Sequence, residues 1–219
     1  MSADPSTQLV VSEDNHVTNG CSHDTKLRRN YRFCSGSQWN NWPELELSEM
    51  CGTFSLQEFV QQRSRLKQDF DGCPCPEGQD TRCWLFENIR QFCIETNDLF
   101  VTMNNGICCN KDTCPHMTIG NEDIYFCSSH SELKECSAID YARHTLDQSC
   151  HQLSNPELFP SRLNLSDNAY LELISIARKI NRIIAHFKIV HSEQFNAFES
   201  NKNLALRFSR FIEEHKLNA

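Results

Sequence analysis

Apolar side chains recur at intervals of three and four residues along much of the chain, the spacing of a helix with one buried face. One long helix is predicted over about 80–103 and another from about residue 167. The buried face of the first comprises Leu85, Ile89, Phe92, Cys93, Thr96, Leu99 and Phe100, and that of the second Leu171, Ile174, Ala177, Ile180, Ile184 and Phe187. The pattern predicts a mainly α fold.

Local start and stop signals add four further helices. Ser55-Leu-Gln-Glu58 has the spacing of a capping box and predicts a helix to about residue 70. Ser137, with Asp140 three residues on, predicts a helix that runs to about residue 153 and ends before Asn155-Pro156. Two shorter helical segments are predicted over about 193–199 and 204–215.

The helical period is absent over 104–135, where Gly, Asn and Cys are frequent. Two short β-prone runs, 117–119 and 124–127, flank Gly120-Asn121 and predict a small β-hairpin. Residues 1–38 are polar and predict a flexible tail, with a solvated basic patch at Lys26, Arg28, Arg29 and Arg32. One domain is therefore expected over 39–219, its order beginning near Trp39.

Charge and composition narrow the functional classes. The formal net charge of −8 argues against a general nucleic-acid binder, which normally shows a basic face. No run approaches the roughly 20 apolar residues that a bilayer-spanning helix needs, and the first twenty residues lack the apolar block of a secretory signal. A cytoplasmic protein is expected. In that reducing compartment, 13 cysteines suggest metal ligands together with buried thiols.

Two pairs of residues have the chemistry of a zinc site. Cys109 and Cys114 enclose four residues in the irregular segment, and His186 and His191 enclose four residues near the end of a long helix. Together they offer two sulfurs and two nitrogens, a donor set typical of tetrahedral zinc. Residues five apart on a straight helix point about 140° apart. We therefore expect His186 to end one helix and His191 to open the next.

Spacing alone leaves a second interpretation open, in which buried thiols lie near two unrelated histidines. It also leaves rival ligands: Cys108 beside Cys109, His116 close after Cys114, and the pair within Cys127-Ser-Ser-His130. No Cys-x-x-Cys occurs, so a thioredoxin-type redox pair is not expected.

A series of longer motifs distinguishes between these alternatives. They are Asn41-Trp-Pro-Glu, Pro76-Glu-Gly-Gln-Asp, Arg90-Gln-Phe-Cys, Asp112-Thr-Cys, Glu135-Cys136, Ile139-Asp-Tyr-Ala-Arg-His-Thr-Leu-Asp147 and Phe159-Pro-Ser-Arg. From about Trp39 to the C-terminus the chain resembles the Mob/phocein family, most closely its phocein branch. The resemblance implies a Mob-type helical bundle with a four-helix core and one structural zinc ion on Cys109, Cys114, His186 and His191. Cys108 is then a neighbour of the site.

The resemblance implies an adaptor without catalytic activity. Four protein ligands leave zinc no open position for water, and the common hydrolase and phosphate-loop motifs are absent from the sequence. The phocein branch implies partners in a striatin-centred assembly: a striatin-type scaffold, germinal-centre-type protein kinases and protein phosphatase 2A, with peripheral association at Golgi membranes. The alternatives are a direct coactivator of a nuclear Dbf2-related kinase and a cytosolic zinc- or thiol-dependent hydrolase.

Two surfaces are candidates for partner binding. Arg178, Lys179 and Arg182 share one helix face and could bind a phosphate, although a solvated helix face is the more common reason for such a pattern. In Mob relatives the matching positions receive phosphorylated peptides. The second surface is the helix bearing Trp84, which core packing alone could also explain.

On that helix, Mob members that activate Dbf2-related kinases carry carboxylates which receive a basic kinase segment. This chain has Gln79, Cys83 and Gln91 at those places. Loss of the negative charge weakens attraction for a basic partner, so direct activation of those kinases is not expected.

Overall fold

The computed structural model describes residues 44–50, 52–66, 69–105, 109–120, 124–161 and 163–217. The predicted tail, its basic patch and the start of order at Trp39 lie outside the described residues. The chain divides into two units, Met1–Cys51 and Gly52–Ala219. The described part of the first unit is 44–50, where a short 3-10 helix, Leu47–Glu49, is capped by a hydrogen bond from the Glu46 amide to the Glu49 carboxylate, 2.8 Å.

Six α-helices follow one another in the described part of the second unit. They are α1 (Ser55–Leu66), α2 (Thr81–Asn105), α3 (Ala138–Leu153), α4 (Asp167–Val190), α5 (Ser192–Lys202) and α6 (Leu204–Glu214). The mainly α prediction is confirmed, and each helix begins within one residue of its predicted start. Among the described residues, no helix is long and apolar enough to cross a bilayer.

Side-chain caps explain the sharp starts of three helices. Asp80 accepts a hydrogen bond from the Cys83 amide at 2.9 Å, Ser137 from Asp140 at 3.2 Å, and Ser166 from Ala169 at 3.2 Å. Each cap satisfies an amide that has no partner within its helix. The first helix ends at Leu66, earlier than predicted, and a short 3-10 helix, Asp69–Asp71, follows in place of its last turn.

Helix α2 lies at the centre of the bundle, in contact with α1, α3, α4, α5 and α6. Its long buried face explains this position, since Trp84, Ile89 and Leu99 have no exposed surface. Against α6, the ring of Phe92 lies 5.1 Å from that of Phe208, centroid to centroid, in an edge-on arrangement. A helix apolar over so much of its circumference is stable only when other helices cover it.

A buried ion pair joins α2 to α6. The Arg207 guanidinium donates to both Glu95 carboxylate oxygens, at 2.7 and 3.0 Å, and Arg207 is 1% exposed. Ser64 of α1 and Gln91 of α2 also donate to Glu95, so three helices meet at this carboxylate. Burial raises the pKa of Glu95, but the hydrogen bonds and charge of Arg207, together with the hydrogen bonds from Ser64 and Gln91, outweigh burial and hold that pKa below its usual range.

The direction of this pKa shift determines the pH range in which the ion pair between Glu95 and Arg207 stabilises the fold. A lowered folded-state pKa means that the contribution of Glu95 is complete above its unfolded value of about 4.3. It is lost as the pH falls through the lower pKa of the folded state. The ion pair is therefore at full strength at neutral pH.

The predicted hairpin around Gly120-Asn121 needs correction. The Tyr125 amide donates to the Met117 carbonyl at 2.8 Å, so the two β-prone runs do approach each other. Within the described residues they form no strand, and the one antiparallel bridge recorded there joins Cys127 to Lys134. The run at 117–119 is engaged elsewhere, because the Thr118 carbonyl accepts a hydrogen bond from a histidine of α4.

Single residues connect the last three helices. His191, at φ −124° and ψ 47°, ends α4 and precedes α5. Asn203 adopts the left-handed conformation, at φ 51° and ψ 31°, between α5 and α6. The Glu199 carboxylate accepts hydrogen bonds from the amides of Ala205 and Leu206, both at 3.1 Å, which satisfies the first turn of α6.

Replacing Arg207 by methionine should lower the free energy of unfolding by about 3–5 kcal/mol, because the Glu95 charge would stay buried without its partner. Urea denaturation at pH 7 measures this change. Lys202→Met is the matched control: its ion pair with Asp98 spans 3.8 Å between half-exposed side chains and should contribute less than about 1 kcal/mol. Equal effects of the two variants would contradict a special role for the buried pair.

Candidate metal centre

A tight turn in the connection between α2 and α3 brings Cys109 and Cys114 together. The Asn110 side-chain oxygen accepts hydrogen bonds from the amides of Asp112 (2.8 Å) and Thr113 (3.0 Å). The Asn110 carbonyl accepts another from the Cys114 amide at 2.9 Å. These bonds fold the chain back between the two cysteines, so both thiols lie on the same side of the turn.

Helix α4 and its junction with α5 supply the two imidazoles. His186 Nδ1 lies 2.7 Å from the Thr118 carbonyl oxygen. Because a carbonyl only accepts, Nδ1 carries the proton and Nε2 presents its lone pair to Cys109 Sγ, 3.7 Å away. His191 Nε2 lies 3.3 Å from Cys114 Sγ. A hydrogen bond from the other ring nitrogen to a backbone carbonyl, such as that from His186 to Thr118, commonly orients a metal-binding histidine.

The predicted helix break lies at one histidine and not at the other. His186 does not end a helix, because α4 continues to Val190. His191 does open the next helix, as the residue immediately before α5. Its departure from helical backbone angles turns its side chain toward His186, and the two ring centroids lie 5.4 Å apart. Residues five apart on a straight helix point about 140° apart. The change of backbone direction at His191 is therefore enough to bring the two imidazoles together.

The geometry and chemistry of the four side chains fit a tetrahedral ion. All four ligand atoms lie within 4.8 Å of one another. Tetrahedral zinc places its sulfur and nitrogen ligands about 3.3–3.8 Å apart, so a small contraction would close the site. Cys109, Cys114, His186 and His191 are all buried. Burial lowers the pKa of both histidines, which keeps the imidazoles in the neutral form that binds metals.

The rival ligands lie elsewhere. His116 Nδ1 faces the Glu135 carboxylate at 3.2 Å. Cys127 and His130 belong to a separate group with Cys136 and His144. Cys108 lies outside the described residues. Sequence spacing had suggested the Cys127–His130 pair, but it did not indicate Cys136 or His144, which a loop and a helix bring to it.

The structure divides the basic cluster of α4. Lys179 Nζ donates to the Gln148 side-chain oxygen of α3 at 3.3 Å. Arg178 and Arg182 instead line a cavity of about 250 Å³ together with Tyr125. The Arg182 guanidinium lies 4.8 Å from the centroid of the Tyr125 ring. The two arginines are therefore together at one cavity, whereas the lysine is directed toward α3.

The second predicted surface is largely core. Trp84 has no exposed surface, and its indole N–H donates to the Cys73 carbonyl at 2.7 Å. Cys83 is buried, and burial, with Asp80 beside it, raises the pKa of its thiol to about 12. Gln91 donates to Glu95 at 3.0 Å. Of the three positions lacking carboxylates, Gln79 alone is exposed.

These features define a helical protein that carries a buried Cys2His2 group, which could hold a metal ion. Residues 63–217 match the model of the Mob1/phocein family. The chain is 36% identical over 197 residues to MOB kinase activator-like 4 of Drosophila melanogaster, covering 88% of this chain and 86% of the relative. It is 35% identical over 193 residues to MOB-like protein phocein of Caenorhabditis elegans, covering 87% and 86%.

A more distant relative, MOB kinase activator-like 1A of Arabidopsis thaliana, is 29% identical over 142 residues, covering 63% of this chain and 65% of that protein. The chain belongs to the Mob1/phocein family. The resemblance inferred from the sequence motifs is confirmed.

Replacing His191 by asparagine should loosen two distant parts of the chain together. If the four side chains share an ion, amide hydrogen exchange should accelerate in 109–120 and at the α4–α5 junction, because metal binding contributes directly to folding free energy. His151→Asn, on the exposed part of α3, is the control and should leave both segments protected. Acceleration at the α4–α5 junction alone would contradict a shared ion.

Proposed function

We propose that this protein is a non-catalytic, zinc-binding adaptor of a striatin-type phosphatase–kinase complex. In this role it links a striatin-type scaffold, together with a protein phosphatase 2A assembly, to germinal-centre-type protein kinases. The observation that carries the proposal is the buried Cys2His2 group, which offers four protein ligands and connects the α2–α3 segment to the α4–α5 junction. A buried group with four protein ligands fits a structural metal ion in a protein whose role is to bind partners.

Zinc is the ion that this donor set favours. Two thiolates with two imidazoles in tetrahedral arrangement are typical of structural zinc. When bound, zinc supplies folding free energy and no reaction chemistry, because four protein ligands leave no position for water or substrate. His186, held by Thr118, and His191 would orient the nitrogens, while Cys109 and Cys114 would supply the negative charge that neutralises the ion.

The relatives support a kinase-associated adaptor of the phocein type. Two matches extend over most of this chain, one named a MOB kinase activator-like protein and the other phocein. The relative named MOB kinase activator-like 1A matches over a shorter part of the chain and at lower identity. In this proposal the protein works in the cytoplasm and peripherally at Golgi membranes, as the resemblance to the phocein branch implies.

The surroundings of α2 argue against direct activation of a Dbf2-related kinase. A carboxylate in place of the Gln91 amide would face the Glu95 oxygen, which Gln91 now contacts at 3.0 Å, and like charges at that distance repel. Cys83 is buried beside Asp80, so an added charge there would be costly as well. The neutral side chains of Gln91 and Cys83 are compatible with the packing of this chain, and they offer no negative charge to attract a basic partner.

The cavity beside α4 is the candidate phosphopeptide site. Arg178 and Arg182 line it from successive turns of α4, and the Arg182 guanidinium lies over the ring of Tyr125, which also lines the cavity. Two guanidinium groups at one cavity can form bidentate, charge-assisted hydrogen bonds to a phosphate. Lys179 donates to Gln148 and does not line the cavity. Because it is adjacent to Arg178 in the chain, its charge adds to the positive potential near the cavity.

Replacing both Arg178 and Arg182 with glutamate should weaken binding of phosphothreonine peptides about a hundredfold or more, because each charge-assisted hydrogen bond contributes about 1.5–3 kcal/mol. Fluorescence anisotropy with matched phosphorylated and unphosphorylated peptides measures the change, and zinc content should be unaffected. Lys188→Glu, an exposed cation of the same helix, is the control and should change affinity little. Unaltered affinity in the double variant would refute the site.

Partner composition tests the adaptor role directly. We expect a striatin-type scaffold and a germinal-centre-type kinase to dominate quantitative affinity purification of the full chain from cells. A Dbf2-related kinase as the dominant partner would overturn the proposal in favour of a direct coactivator. A hydrolytic activity that disappears on zinc extraction while the fold persists would overturn the non-catalytic assignment.

A further inference from the structure

The segment between Asn105, where α2 ends, and Ala138, where α3 begins, forms no helix or strand within its described residues. A connection of this length without secondary structure needs other anchors to hold one conformation. The Cys2His2 group of the metal centre anchors its first part, through Cys109 and Cys114. The second part, from residue 124 onward, lies beyond those two cysteines.

A second group of four potential ligands lies in that second part. Cys127, His130, Cys136 and His144 place their ligand atoms within 4.8 Å of one another. His130 Nε2 lies 3.2 Å from Cys136 Sγ. His144 Nδ1 lies 3.7 Å from the same sulfur and 3.9 Å from Cys127 Sγ. These separations match those of the first group.

Three pieces of backbone bring the group together. The bridge between Cys127 and Lys134, with amide–carbonyl distances of 2.8 and 3.2 Å, closes a loop that carries His130. The Ser129 hydroxyl lies 3.1 Å from the His144 carbonyl oxygen, which holds this loop against α3. Cys136 immediately precedes the Ser137 cap of α3, and His144 projects from α3 itself.

We propose that Cys127, His130, Cys136 and His144 bind a second zinc ion. Two sulfurs and two nitrogens at these distances are the donor set and spacing of tetrahedral zinc, whose ligands lie about 3.3–3.8 Å apart. Cys127 and His130 are separated by two residues, a usual spacing for a pair of zinc ligands from one loop. This site is distinct from the metal centre, and it does not depend on the adaptor function.

Two other roles fit these four side chains less well. A catalytic Cys–His pair needs one thiol and one base, whereas here a second thiol and a second imidazole converge on the same point. A disulfide between Cys127 and Cys136 would not explain why two imidazoles also converge there. Both cysteines are free thiols in the structure. A shared ion accounts for all four residues.

The ion would attach the loop at 127–134 to α3. With zinc at both groups, the connection between α2 and α3 would be fixed first to the α4–α5 junction and then to α3. Closing loops with metal ions stabilises a fold most where the enclosed chain has little structure of its own.

Zinc content per chain tests the proposal. The full chain, purified without chelator, should contain two zinc ions by inductively coupled plasma mass spectrometry. The double variant Cys136→Ser/His144→Asn should contain one, and so should Cys109→Ser/His191→Asn. Cys150→Ser/His151→Asn is the matched control, because these exposed residues of α3 belong to neither group, and it should retain two.

The outcomes separate the two sites. One zinc per chain, lost in the Cys109/His191 variant and kept in the Cys136/His144 variant, would overturn the second site and leave the metal centre intact. One zinc with the opposite pattern would support the second site and overturn the first. Two ions in the wild type with no loss in the Cys136/His144 variant would also overturn the proposal.

If a double variant does not fold, two further measurements still test the proposal. One uses the wild-type protein, and the other uses a single substitution in a loop. X-ray absorption at the zinc edge of the wild-type protein should show an average of two sulfur and two nitrogen ligands per zinc at two ions per chain. His130→Asn changes a loop residue outside the helices, and a competing chromophoric chelator should withdraw one of its two ions at least tenfold more readily than from the wild type. Identical withdrawal from both proteins would count against the second site.

Discussion

The convergence of two thiols and two imidazoles at the α4–α5 junction is the constraint on which the surrounding structure depends. Cys109 and Cys114 come from a segment whose described residues form no helix or strand, and there the two thiols lie within hydrogen-bond reach of the imidazoles of His186 and His191. His191 must leave helical geometry to take part, which in turn sets where α5 begins. The position of α5 against α2 and α4 follows from that change of direction.

Helix positions were largely predictable, since the caps at Ser137 and Ser166 and the apolar spacing of α2 and α4 are local properties of the chain. The convergence of Cys109, Cys114, His186 and His191 was predictable from their spacing, once the family motifs distinguished them from their neighbours. The hairpin was not, because Thr118 bonds to a histidine far along the chain and not to a neighbouring strand. The second group escaped prediction for the same reason: Cys136 and His144 approach Cys127 through a tertiary fold that spacing does not encode.

The buried pair of Glu95 and Arg207 links core packing to partner choice. Gln91 donates to the same carboxylate, so its neutral amide serves the interior of the bundle as much as the surface of α2. A negatively charged residue there would strengthen attraction for basic segments and weaken the ion pair at the same time. Residues that determine which partners bind are therefore not independent of those that hold α1, α2 and α6 together.

The single-residue joints at His191 and Asn203 restrict how the length of this chain can change. One residue inserted next to His191 would rotate everything after it by about 100° relative to α4 and carry the imidazole away from its cluster. The same insertion at Asn203 would turn Arg207 away from Glu95. Insertions are better tolerated away from these joints, as around Leu163, which is 82% exposed in the segment between α3 and α4. For protein engineering, that segment is the place for an epitope or a fluorescent label.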